Sequence, residues 1–72
     1  MKQRLWLIQR SASGPGKYRL ANAHGMGDVT NTAYDSPRSA LADAVRQAGA
    51  QSCFVRQVVA LEGEWALLLD EL

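Results

Sequence analysis

Cys53 and His24 are the only cysteine and the only histidine in the chain. Together they are the one combination that could form a thiolate and imidazole nucleophile pair. An attacking thiolate needs an exposed, electropositive setting, whereas Cys53 opens the apolar run Cys53-Phe54-Val55. The expectation is therefore a packed thiol. His24, Asp28 and Asp35 follow no familiar ligand spacing, and one histidine with one cysteine does not close a zinc site. Gly25-Met26-Gly27-Asp28 has two glycines that could approach a phosphate. It lacks the third glycine of a dinucleotide loop and does not open a helix, so it reads as a turn. The carboxylates Glu62 with Glu64 and Asp70 with Glu71 flank a turn and the C-terminus, solvated places that leave a carboxyl group unperturbed. No catalytic residue, metal or cofactor is assigned, and the expectation is a protein that binds rather than catalyses.

Charge points the same way. The net charge is +1, too small for a strongly electrostatic nucleic-acid binder, but the charges are unevenly placed. Lys2, Arg4, Arg10, Lys17 and Arg19 all precede the first acidic residue, Asp28, and after Arg56 the residues Glu62, Glu64, Asp70 and Glu71 stand unopposed. Leu5-Trp6-Leu7-Ile8 is too short for the core of a secretory leader and far too short for a membrane span. With a single cysteine, this gives the expectation of a cytoplasmic protein that touches no membrane.

A chain of 72 residues is long enough for one domain, residues 1–72. A domain of this size buries only about 60% of the surface that its unfolded chain exposes, so self-association or a partner is a natural source of extra stability. Residues 2–10 read as a strand, closed by the Gly14-Pro15-Gly16 loop. Residues 17–23 read as its hairpin partner, with Tyr18 and Leu20 on one side and Lys17, Arg19 and Ala21 on the other. Residues 29–34 are rich in β-branched side chains and give a third strand. A helix follows, capped by Asp35 or Ser36, with Pro37 at its first position, Gly49 at its end, and a stripe of Ala40, Leu41, Ala44, Val45 and Ala48. Residues 53–61 and 65–69 form a second hairpin around Glu62-Gly63. The expected fold class is α+β: a mainly antiparallel sheet in the order β-β-β-α-β-β, with one helix across one face.

One helix of about 13 residues spans roughly 20 Å and covers a single face of such a sheet. Alternation in the first strand separates Leu5 and Leu7 from Lys2, Arg4, Trp6, Ile8 and Arg10. With Leu5 and Leu7 against the helix, the outer face carries Lys2, Arg4, Arg10, Lys17 and Arg19 around Trp6 and Ile8. That is either a surface for nucleic acid or an acidic partner, with Trp6 as a stacking platform, or a solvated face whose basic stems cover apolar neighbours. In the last strand, Trp65, Leu67 and Leu69 oppose Ala66 and Leu68. A strand apolar on both sides fits an interface with a protein partner or a second copy, or a central strand of the sheet.

The strands followed by an Asp35-Ser36-Pro37 cap and an alanine-faced helix resemble HicB-type antitoxins over residues 16–48, although the acidic-proline-glycine turn of that family is missing here. In size and organisation the chain also looks like small phage or prophage accessory proteins, including anti-CRISPR proteins. That resemblance implies an inhibitor that occupies a host protein's surface. The expectation is a non-enzymatic protein-protein interaction module, with a homodimer as one form of it. The alternative is a nucleic-acid-binding or HicB-like regulatory protein that uses the basic hairpin.

Overall fold

A computed structural model describes residues 3–11, 14–23, 29–30 and 32–72. Four strands and one helix follow in the order β1 (Gln3–Arg10), β2 (Tyr18–Asn22), α1 (Pro37–Ala50), β3 (Cys53–Leu61) and β4 (Glu64–Glu71). They form an antiparallel sheet ordered β2-β1-β4-β3, with α1 packed across one face. This is the expected α+β class with four strands in place of five. The described residues of the expected third strand, 29–30 and 32–34, form no strand. This segment touches the edge of β2 at separate points: Val29 N–H donates to the Leu20 carbonyl at 2.8 Å, and Tyr18 and Tyr34 exchange backbone bonds at 2.8 and 2.9 Å. A short run without a continuous ladder is left as an edge strap.

The helix begins as its sequence dictates. Ser36 is the N-cap, its hydroxyl accepting from the Ser39 N–H at 3.2 Å, and Pro37 takes the first position, where no N–H is needed. It ends later than expected. The helix passes through Gly49 to Ala50, and the left-handed residue that turns the chain into β3 is Ser52, at φ 58°. The buried stripe is Ala40, Ala44 and Ala48. Leu41 is half-buried, and Val45, expected in the stripe, is exposed.

The face of the sheet that α1 covers is the opposite of the one expected. Trp6 and Ile8 are buried at 2% and 1% exposure, together with Leu20, Leu67 and Leu69, while Leu5 and Leu7 lie on the uncovered side. Alternation in β1 holds, but the helix has taken the other parity. Volume gives the reason. Three alanines leave shallow space between helix and sheet, and bulky Trp6, Ile8, Leu20, Leu67 and Leu69 fill it to interior density. Arg4 and Arg10 share the parity of Trp6 but sit at the two ends of the strand, where long stems reach past the helix.

Glu62-Gly63 joins β3 to β4 as expected, with Leu61 opposite Glu64 and Gly63 at φ 74°. The hairpin carries one bulge, at Arg56, where the register shifts between Val55 and Gln57.

Candidate functional site: an uncovered sheet face and a free edge

The basic residues predicted to share one surface are dispersed. Arg4 Nε donates to Glu71 Oε1 at 3.0 Å and Arg4 Nη1 to Gln51 Oε1 at 2.7 Å, which ties the end of β1 to the end of α1 and to β4. Lys17 pairs with Asp35 just before the helix. Arg19 lies on the uncovered face, donating to Gln9 Oε1 at 3.0 Å. Arg10 is exposed at the far end of β1, beside Glu62, Gly63 and Glu64. The expected arrangement, basic groups around an exposed Trp6, does not exist, because the Trp6 indole is sealed beneath α1. Leu67 is likewise fully buried and offers no surface, and Trp65 is half-buried, edge-on to Tyr18 at 6.0 Å between ring centres. The segment containing His24, Gly25, Met26, Gly27 and Asp28, and likewise Lys2, lies outside the described residues. Cys53 is buried against the core, its thiol donating to the Gln51 carbonyl at 3.5 Å.

The strand pairings place a different set of residues together. Opposite the helix, β1 presents Leu5 and Leu7 and β4 presents Ala66 and Leu68, Leu5 facing Leu68 and Leu7 facing Ala66. Val59 pairs with Ala66, and Leu61 and Phe54 fall on the same side. Phe54, Val59 and Leu61 are exposed at 43%, 37% and 50%, and Leu5, Leu7, Ala66 and Leu68 are half-buried by their neighbours alone. Among the described residues no second layer lies on this face. Its polar members are Gln9, Arg19 and Glu64 at one end, Gln3 and Asp70 at the other, and Gln57 on the outer strand beside Leu68. Asp70 is buried with Arg56 Nε 3.6 Å from its carboxylate. An apolar centre with a polar border is the pattern of surfaces that meet other macromolecules.

The two edges of the sheet differ. The β2 edge is occupied by the strap, through Leu20 and Tyr18. Along the outer side of β3, among the described residues, no backbone bond from another segment reaches residues 54–61. A hydrogen-bonded network anchors the strap to α1 on the other side of the molecule. Thr30 Oγ1 and Tyr34 Oη lie 2.8 Å apart, Tyr34 donates to the Asp43 carboxylate, and Arg46 Nε donates to the same carboxylate at 2.9 Å. Burial first, and then the bond to Asp43, raises the Tyr34 phenol above its ordinary range; that same bond, with help from Arg46, lowers Asp43.

No protein-family model matches the chain, and no curated protein or solved structure matches it. No described helix is long and apolar enough to cross a membrane.

Sequence reasoning missed Leu5, Leu7, Phe54, Val59 and Leu61 as surface. The signal was present: both parities of β1 are apolar at its centre, so one of them must remain outside when a single helix covers the sheet.

Proposed function

We propose that this protein is a non-enzymatic interaction module that binds a protein partner on the uncovered sheet face. The observation that carries this reading is the apolar centre formed by Leu5, Leu7, Val59, Leu61 and Leu68, open to solvent on the side away from α1. A partner that removes these side chains from water gains about 25 cal/mol for each Å² of apolar area buried, before the costs of association. The burial of Cys53 in the core supports a binding role over a cysteine-based catalyst. An accessory inhibitor of the kind that the chain resembles in size and layout would use such a face to cover a host protein's surface.

Affinity capture from the native host, performed in parallel with wild-type protein and a Leu5→Glu, Leu68→Glu variant, tests this reading. Both positions are on the outer face, so the variant is expected to fold. Specific partners should be captured by the wild-type chain and lost in the variant. Equal capture by a variant whose circular dichroism is unchanged would overturn the assignment of the face.

A further inference from the structure

We infer that β3 is a pairing edge for a second copy of this chain, joined about a two-fold axis through Val59 into a continuous eight-stranded sheet. The inference deepens the interaction reading but uses the edge rather than the face, so either can fail alone.

The backbone pattern comes first. Leu61 and Glu64 flank the Glu62-Gly63 loop, and a connection of this length makes its flanking residues a hydrogen-bonded pair. Alternation along an antiparallel ladder then turns the backbone groups of Leu61, Val59 and Gln57 toward β4. It turns those of Val58 and Ala60 outward. The outward side carries Val58, Val59, Ala60 and Leu61 without a proline, and its only basic residue, Arg56, is displaced to the bulge. Native edges of this length are usually blunted by charge, by a proline, by a bulge or by a covering segment, and on β3 the bulge and Arg56 do so only at one end, leaving residues 57–61 bare. The β2 edge is covered by the strap and the β3 edge is not, a difference that singles out β3.

Register comes second. A two-fold axis perpendicular to the sheet pairs residues on the same face, so the position numbers of opposed residues must sum to an even number. Centred on Val59, the arrangement sets Val58 against Ala60 of the second copy, so both outward-facing residues exchange their backbone bonds. It also brings Arg56, at the bulge, level with Glu62 in the turn of the second copy, within reach of a long side chain, twice per dimer. Glu62 is exposed, and the Arg56 side chain is 58% exposed while leaning toward Asp70. A guanidinium has donors enough for both carboxylates. Centring on Val58 or on Ala60 instead sets Glu62 against Phe54 or Val58, leaving the charges unmatched. Charge complementarity and the free backbone groups therefore select one register.

Sedimentation velocity on the full chain at micromolar concentration should show a dimer. Oxidised Val59→Cys should cross-link, because two cysteines directly opposite in a non-hydrogen-bonded pair are within disulfide reach, whereas Leu61→Cys, which faces Gln57 of the second copy, should not. Glu62→Arg reverses the sign of both opposed pairs and should weaken the dimer about tenfold. The exchange variant Arg56→Glu, Glu62→Arg should recover part of that loss. A chain that stays monomeric at hundreds of micromolar, or a dimer in which Leu61→Cys cross-links and Val59→Cys does not, would overturn the proposal. A wild-type chain that stays monomeric yet captures its host partner would refute the edge and leave the face reading standing. The converse would do the reverse.

Discussion

The parity of β1 can be tested by two neighbouring truncations. Ile8 is 1% exposed and packed in the core beneath α1, whereas Leu7, one residue away, is half-buried on the uncovered side. Ile8→Ala removes fully buried carbon and leaves a cavity walled by helix and sheet, at a cost of about 2–5 kcal/mol. Leu7→Ala removes carbon that is already partly wet and opens no closed cavity, at a cost of about 1 kcal/mol or less. A 72-residue domain has a total stability of about 4–11 kcal/mol at about 0.05–0.15 kcal/mol per residue. Ile8→Ala therefore consumes a large share of it, and Leu7→Ala does not. In thermal unfolding followed by circular dichroism, Ile8→Ala should lower Tm by at least about 8 °C and Leu7→Ala by less than about 8 °C. Ile8→Val, which deletes one methyl group, should fall between wild type and Ile8→Ala, at about 0.5–1.5 kcal/mol. Equal costs at positions 7 and 8, or a larger cost at Leu7, would refute the assignment of Trp6 and Ile8 to the helix side and return the basic-face reading to consideration.

The strap network gives a pH-dependent expectation. Asp43 has its folded pKa lowered, so its contribution to stability is present above its unfolded value and is lost as pH falls through the folded one. Tyr34 has its folded pKa raised, so its contribution is present below the ordinary phenol range and is lost as pH rises through the folded value. Tyr34→Phe should cost about 1–2 kcal/mol at neutral pH. It should also flatten the stability profile measured by urea unfolding at both the acid and the alkaline ends. A variant profile parallel to wild type would show that the network is not the titrating element. At the helix exit, Ser52 holds φ 58°, a conformation that glycine adopts without steric cost. Ser52→Gly should stabilise by about 0.5–1 kcal/mol, read as a higher urea midpoint at unchanged slope. A fall in the midpoint would mean that Ser52 contributes more than its backbone angle.

What the sequence by itself determined is local. Ser36 and Pro37 start the helix, Gly63 allows the last turn, the alternation in residues 3–10 and 18–22 forms the first hairpin, and the alanines at 40, 44 and 48 build a thin helix face. Each depends on a residue's own backbone preference or on spacing along one element. Two matters were settled only in the tertiary structure. Residues 29–34 have strand composition, but those described among them serve as a strap, because pairing requires a continuous partner rather than β-branched side chains alone. The choice between the two parities of β1 was equally invisible. Leu5 with Leu7 and Trp6 with Ile8 are both apolar, and the charges at Arg4 and Arg10 suggested that Trp6 faced outward. Those arginines lie at the strand ends, where a long stem escapes burial whichever way its neighbours point. The decision rested on the residues brought alongside from β2 and β4. Leu20, Leu67 and Leu69 make the Trp6 side the bulkier one, and only that side fills the space beneath three alanines. The candidate site follows from that packing decision, since the uncovered face is the one left outside when the helix takes the other.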